Sequence, residues 1–481
     1  MKESCSFLIQ FIEKFFIDWE RFQKGRSERM ERTYLIKPAL DEEYPIVSYG
    51  KGVYLYDLDG KQYLDASSGA VTANIGHGVE EIIEAMREQS EKVSFVYRSQ
   101  FSSEPAEKLA EKIALSTPGD LNWSFFVNSG SEATETAMKV AIQYWQEKGF
   151  PLKSKILSRW VSYHGITLGA LSMSGHPGRR SRFVPLLADF PNVSPPYCYR
   201  CPFNQTPESC NYECAQELDT ALARMGRDSV AAFIAEPIIG AAGGCITPPK
   251  GYYKRIKEIC ETHNILFIAD EVMTGFGRTG TMLASEHWGI IPDIVCLGKG
   301  MGAGYAPIAA TLVSEKVMEP ITSGSKQIMS GHTLSANPQS AAVALAVMEY
   351  LENKNLLVDV DSKGVYLKNL IEKLKVQFPF IGDIRGKGLL LGLEFVEDRV
   401  TKRSFSKEFN LTSRLIKIAQ SLGLLVYPAS AGLDGIGGDA VIIAPPLTIT
   451  KREIKELVRL LESSMRQLKQ ELEKQGVKMD D

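Results

Sequence analysis

Between residues 80 and 340, short apolar runs recur between longer amphipathic stretches, and this alternation restricts the fold more than any other feature of the chain. Phe125-Phe126-Val127, Ala231-Ala232-Phe233-Ile234-Ala235, Leu266-Phe267-Ile268, Ile294-Val295-Cys296 and Ala309-Ala310-Thr311-Leu312-Val313 are apolar at nearly every position. Strands buried on both faces read this way, and helical segments between them act as crossovers. The pattern predicts an α/β fold with a mostly parallel sheet flanked by helices. Upstream, residues 53–65 read as a β-hairpin with Asp59-Gly60 in its turn. Downstream, a helical stretch over 340–353 leads to the alternating segment 388–395. Further helices end in an amphipathic one with Ile454, Leu457, Leu461, Met465 and Leu468 on one face. The expected division is an N-terminal extension (1–29), a segment contributing to a small domain (30–79), a large domain (80–340) and a smaller α+β domain (341–481).

Open sheets of this kind bind ligands beyond the C-terminal ends of their strands. Two such ends carry reactive groups. The run Asn264-Ile265-Leu266-Phe267-Ile268-Ala269 ends on Asp270-Glu271, and Ile294-Val295-Cys296-Leu297 leads to Lys299 within Gly298-Lys299-Gly300-Met301-Gly302. Singly, each has a plainer reading: a solvated lysine, or the cap of a following helix. Together they form the working core of a pyridoxal phosphate enzyme. The lysine would hold the cofactor as a Schiff base, and the carboxylate would keep the pyridine nitrogen protonated so that the ring accepts electrons. Flanking glycines allow close approach of backbone and ligand. The buried strands on either side make an unpaired lysine costly unless a covalent imine neutralises it.

Asn128-Ser129-Gly130-Ser131-Glu132-Ala133 follows one strand and opens a helix. Free N–H groups and hydroxyls at a helix N-terminus form an anion site, or simply a cap. Neither a P-loop nor a dinucleotide fingerprint is present there. In Tyr163-His164-Gly165 the aromatic is placed to stack on a cofactor ring, while His164 reads as a structural hydrogen-bonding residue. The polar turn from Gly331 to Pro338 suits phosphate contacts or a cap.

With 55 basic and 58 acidic residues the 481-residue chain has a formal charge of −3, and no basic stripe tracks a phosphate backbone, so nucleic acid is not an expected partner. No apolar run approaches the roughly 20 residues of a spanning helix, so no membrane is expected either. The apolar stretch 7–17 is interrupted by charge and lacks a small-residue cleavage site. Eight cysteines in a chain too large to need staples favour the reducing cytoplasm. Cys198, Cys201, Cys210 and Cys214 have knuckle-like spacing. It is compatible with a structural zinc, against reduced packed thiols.

Taken in order, Asn128 to Ala133, Tyr163-His164-Gly165, Glu236-Pro237-Ile238, Asp270-Glu271-Val272 with Thr274 to Gly280, Gly298-Lys299-Gly300, Gly331-His332-Thr333, Arg385-Gly386-Lys387-Gly388 and Ala444-Pro445-Pro446-Leu447 resemble the class III pyridoxal phosphate aminotransferases of fold type I. That group contains the ornithine, 4-aminobutyrate and ω-amino acid transaminases, and the resemblance covers residues 45 to 465. It implies a homodimer with active sites at the subunit interface. Lys299 would carry pyridoxal 5'-phosphate and shuttle the α-proton, and Asp270 would pair with the ring nitrogen. Ser129, Gly130 and Ser131 would bind the phosphate, joined by Thr333 from the neighbouring subunit, and Tyr163 and Val272 would cover the two ring faces.

Several positions depart from the family. Met273 replaces a frequent glutamine. Ala241 stands where the ornithine branch has a gating glutamate, Ile442 where it has a carboxylate-binding arginine, and Tyr427 where ω-amino acid:pyruvate transaminases have a mobile arginine. Arg98, beside Tyr97, is the candidate replacement, against a surface ion pair. The expected activity is transfer of an amino group from a primary amine or ω-amino acid to a 2-oxo acid in a ping-pong cycle. An aminomutase or decarboxylase on the same scaffold is one alternative, and a non-catalytic pyridoxal phosphate-binding interaction protein is another. Residues 1–29 fall outside the resemblance. They read as an extension not needed by the enzyme, with Lys24-Gly25-Arg26 encodable by a purine run just before Met30.

Overall fold

The computed structural model describes residues 33–206, 208–435 and 437–477. The expected extension 1–29 lies outside the described residues. The described part of the unit Met1–Ile46 has no helix or strand, and within it the Lys37 ammonium sits 5.4 Å over the Tyr44 ring.

From Val47 onward, β1 (Val47–Lys51), β2 (Tyr54–Asp57) and β3 (Gln62–Asp65) form an antiparallel meander. The β2–β3 turn is the expected Asp-Gly one: Gly60 has φ +79°, and its N–H donates to the Asp57 carbonyl at 3.1 Å. The large sheet contains β4 (Trp123–Val127), β5 (Lys155–Arg159), β6 (Asn192–Val193), β7 (Val230–Ala235), β8 (Leu266–Asp270), β9 (Ile294–Leu297) and β10 (Ala309–Val313), in the order β4-β10-β9-β8-β7-β5-β6. β10 is antiparallel to both neighbours, and every other pairing is parallel. β7, β8, β9 and β10 are buried at every position, which is why their sequences carry no polar alternation.

The helix Gly130–Glu147 follows β4 and leads to β5, on the far side of the sheet, so it crosses over β10, β9, β8 and β7. Its small and apolar residues Ala133, Ala137, Val140 and Ala141 are fully buried there. This crossing lays its N-terminal turn near the ends of β8 and β9.

After the helices Pro338–Asn353 and Leu356–Gln377 come β11 (Ile381–Lys387), β12 (Leu390–Phe395), β13 (Leu424–Leu425), β14 (Tyr427–Ala431) and β15 (Gly438–Ile443). Four of them form an antiparallel sheet, β11-β12-β15-β14, while β13 returns to pair in parallel with β3. β12 is buried at all six positions, Glu394 included, so its apparent alternation does not mark a wetted face. The closing helix Lys451–Lys474 starts with a Thr450/Glu453 capping box and buries Ile454, Leu457, Leu461, Met465 and Leu468, each contributing about 1.5–3 kcal/mol of apolar burial. No described helix is long and apolar enough to cross a membrane.

Candidate active site

Beyond the C-terminal ends of β8 and β9 lies a cavity of about 180 Å³, and the residues singled out from the sequence converge on it: Ser129, Gly130, Ser131, Tyr163, Asp270, Val272 and Lys299 all line its wall. Successive residues of a strand face opposite ways, and this separates the two adjacent carboxylates. Asp270 faces the cavity. Glu271 points into the protein, where it accepts N–H groups of Ala284 (3.0 Å) and Ser285 (2.7 Å) and the Thr274 hydroxyl. The capping reading therefore holds for Glu271.

Asp270 is held on both oxygens. Oδ2 meets Nδ1 of the fully buried His164 at 2.8 Å, and Oδ1 accepts the Val272 N–H at 3.1 Å. The other ring nitrogen of His164 is buried without a partner. Glu236, matched only as part of the Glu236-Pro237-Ile238 motif and assigned no role from it, also forms part of the cavity wall. It accepts the Tyr163 N–H at 3.0 Å and the Gly240 N–H at 2.9 Å, and burial raises its carboxyl above the usual range.

Lys299 has φ +44°, a left-handed conformation that costs a non-glycine residue roughly 1–3 kcal/mol. Among the described residues its ammonium makes no hydrogen bond or ion pair. Burial lowers its pKa, with Asp270 and Glu236 opposing the shift and Arg179 adding to it. A lowered pKa enlarges the neutral fraction, the form in which an amine is a nucleophile.

The anion-binding turn is assembled from the helix Gly130–Glu147. Ser129 is the N-cap, accepting the Glu132 N–H at 3.3 Å. The Ser131 hydroxyl oxygen accepts the Ile166 N–H at 3.0 Å, which leaves its own proton free to be donated. Two glycines make the approach possible. A Cβ on Gly165, at φ +136°, would stand 2.5 Å from Ser131 Oγ, and one on Gly130 would stand 2.9 Å from Val272 Cγ1.

Three expected participants are not in this cavity. Thr333 is exposed and does not line it. Tyr97 is 49% exposed. Arg98 is committed elsewhere: Nη2 donates to the Ser330 carbonyl at 2.7 Å, and the guanidinium lies 4.8 Å from the Phe125 ring centroid. Ala241 and Met273 line the cavity, and they pack with Ile442, Tyr427 and Val71 in one apolar cluster. The three positions that depart from the carboxylate-binding branches thus share a hydrophobic wall.

Cys214 is buried, and its thiol is pushed up to about 12 by that burial, with Cys198, Cys210 and Cys201 adding to the shift. Among the described residues no group of three His, Cys, Asp or Glu side chains is placed to hold a metal ion. The cysteine insert docks on the C-terminal sheet. The Tyr197 hydroxyl, Arg200 Nε (2.5 Å) and Arg385 Nη1 (2.6 Å) all donate to the buried Glu394 carboxylate. Arg385 also binds Asp383 (2.9 Å) and the Gly243 carbonyl (2.6 Å).

Residues 38–465 match the family aminotransferase class-III. An uncharacterized aminotransferase of Bacillus subtilis, YodT, is 56% identical over 442 residues, covering 92% of this chain and 99% of its own. Among solved structures, a thermostable (S)-enantioselective omega-transaminase from Thermomicrobium roseum superposes with a TM-score of 0.85 at 37% identity, covering 91% of this chain and 96% of that one. The omega-transaminase of Pseudomonas jessenii in complex with PMP gives 0.85 at 34% identity over 91% and 97% of the two chains. A lysine and a carboxylate held on both oxygens thus lie at adjacent strand ends, facing a helix N-terminus, in a fold shared with transaminases of similar sequence, and the chain belongs to the class-III aminotransferases of fold type I.

Proposed function

We propose that this aminotransferase works with pyridoxal 5'-phosphate and moves an amino group from a primary amine or ω-amino acid to a 2-oxo acid in a ping-pong cycle. The observation that carries the reading is that the unpartnered Lys299 and the doubly held Asp270 line one cavity. The residues present fit the cofactor. Tyr163 offers an aromatic face and Val272 an apolar one, while the Gly130 and Ser131 N–H groups and the Ser131 hydroxyl suit a phosphate. When bound, pyridoxal phosphate supplies the electron sink and carries the amino group between substrates.

The roles of the chain's own groups follow. Nζ of Lys299 anchors the cofactor covalently and, once released by substrate, moves the proton at the substrate's reacting carbon. Asp270 keeps the ring nitrogen protonated, and His164 keeps Asp270 oriented. Tyr163 and Val272 exclude water from the two faces. The apolar Ala241 and Met273 on the cavity wall, backed by Tyr427 and Ile442, support a donor without a carboxylate at that position, and the omega-transaminases above support the same class.

The homodimer reading draws support from Thr333, which is exposed here and would act across an interface. Phe95, Tyr97, Phe101, Met329 and Leu334, all exposed, are an apolar surface for a second copy to cover. The seven described cysteines are free thiols, in keeping with a reducing, cytoplasmic setting.

Borohydride reduction of the cofactor-loaded enzyme followed by peptide mapping should place a pyridoxyl group on Lys299, and an adduct on another lysine would overturn the assignment. A panel of amines, ω-amino acids and glutamate, read by the absorbance change of bound cofactor, tests the donor class. Glutamate reacting fastest would reject it.

A further inference from the structure

The carboxylate of a 2-oxo acid has to be recognised at this cavity, and the expected arginines are replaced or turned away. Most guanidiniums around it are already engaged. Arg159 is fully buried between the Tyr253 hydroxyl (3.1 Å) and the Glu236 carbonyl (2.5 Å). Arg278 is fully buried on the carbonyls of Leu389 and Pro445, Ser68 Oγ and Asn74 Oδ1. Arg180 closes the end of a neighbouring helix by donating to the Leu171, Ser172 and Ser174 carbonyls.

Arg179, its immediate neighbour, differs. It is exposed, it forms no ion pair with a carboxylate among the described residues, and its guanidinium carbon lies 4.4 Å from the centroid of the Tyr163 ring. That ring lines the cavity with Lys299. The backbone explains how residues sixteen apart come together. Trp160 and Gly175 form a parallel bridge, the Val161 N–H donates to the Gly175 carbonyl at 2.9 Å, and the turn Pro177–Arg180 follows at once. A Cβ on Gly175 would stand 2.0 Å from the Arg159 carbonyl, so the closure depends on that glycine. Pro177 seats the turn from the other side, its Cδ 3.2 Å from the Cβ position of Gly435. The charge of Arg179 is felt at the lysine, since it is among the causes that lower the pKa of Lys299.

We propose that Arg179 is the carboxylate-binding residue of this enzyme, its guanidinium held by Tyr163 beside the cavity and receiving the carboxylate of the 2-oxo acid acceptor. A guanidinium on an aromatic face keeps the N–H groups of its edge free, and that edge matches a carboxylate in two parallel hydrogen bonds. An amine donor without a carboxylate has no use for it, so one site serves both substrate types without the apolar wall changing. This assignment rests on the aminotransferase cycle proposed above.

The test compares full-length, cofactor-loaded wild type with Arg179→Ala, Arg179→Gln and Arg179→Lys, following bound-cofactor absorbance in each half-reaction. With 1-phenylethylamine, a donor lacking a carboxylate, the variants should lose far less than in the return half-reaction. In the return half-reaction with pyruvate or 2-oxoglutarate, the concentration giving half the maximal rate should rise roughly 10- to 100-fold in Arg179→Ala and Arg179→Gln, with partial recovery in Arg179→Lys. Calorimetric titration with the unreactive acid propionate should weaken in parallel. Unchanged acceptor dependence overturns the proposal, as does an equal slowing of both half-reactions, which would make Arg179 a support for Tyr163 only. If the wild type fails to react with the amine, the donor reading is what fails, and the propionate titration then decides Arg179 by itself.

Discussion

Two buried charged clusters adjoin the same loop, residues 240–243, and they are built in opposite ways. Around Glu394 each charge meets an opposite one: two guanidiniums and a phenol donate to the carboxylate, and Arg385 also reaches Asp383 and the Gly243 carbonyl, with only its Nε buried without a partner among the described residues. Around Asp270 the matching is deliberately incomplete. Asp270 and Glu236 are held, but among the described residues Lys299 has no hydrogen bond or ion pair and one nitrogen of His164 is buried unsatisfied. Matched charges fix geometry, whereas a charge without a counter-charge is what a ligand can complete. The comparison teaches where to look for chemistry among many buried polar residues: at an ionisable group left without an ion pair.

If that contrast is right, the two clusters should respond to mutation in different currencies. The largest effect is expected at Lys299. Lys299→Ala should lower kcat by about 10⁴-fold or more, equivalent to ~5 kcal/mol in the barrier, while the midpoint of urea unfolding stays unchanged or rises because a desolvated amine is removed. A variant retaining a tenth of wild-type turnover would erase the distinction. Asp270→Ala should follow, with a loss of roughly 10³-fold in single-turnover rate, and His164→Phe, which removes only the brace on Asp270, should cost about 10- to 100-fold.

At Glu394 the effect moves to stability. Glu394→Ala leaves two guanidiniums without their buried counter-charge and should destabilise the fold by about 3–5 kcal/mol. The fraction that remains folded should keep kcat within a few-fold, so a catalytic collapse without a shift in unfolding midpoint would contradict the comparison. The smallest effect is expected from acid. Burial holds His176 and His287 down to about 4, with the charge of Arg179 adding at the first and that of Lys387 at the second. Between that value and their ordinary pKa the unfolded chain binds more protons than the folded one. Stability should therefore rise with pH across this window and be lost as pH falls from about 6.5 toward 4. Replacing either histidine by Gln should flatten the dependence by about one proton, which urea titrations at several pH values can read.

Much of this was legible in the sequence, for identifiable reasons. β7 to β10 are continuous apolar runs because both faces are covered, and their ends announce Asp270 and Lys299. β5 was harder, because Ser158 and Arg159 look like surface residues and are buried only through partners that come from distant parts of the chain, Tyr253 and Glu236 among them. β6 has two residues, too few for any period. The pairing of β13 with β3 joins positions some 360 residues apart, which no local pattern encodes. Within the site, Arg98 does not line the cavity, because its guanidinium is taken up by the Ser330 carbonyl and the Phe125 ring. Arg179 carried no signal beyond the Gly-Arg-Arg turn. Its place beside Tyr163 comes from the Trp160–Gly175 bridge.

The opposite facing of Asp270 and Glu271 has one more consequence. The two carboxylates are a methylene apart in size and adjacent in the chain, yet one serves as a tool and the other as a rivet. The assignment is made only by the phase of β8. A one-residue deletion anywhere from Leu266 to Ala269 would shift that phase, turning the longer acid toward the cavity, moving Asp270 one position back and leaving Val272 opposite the Ala284 and Ser285 N–H groups. Length changes in this strand are therefore forbidden by chemistry before they are forbidden by packing, and natural variation in β8 should consist of substitutions alone.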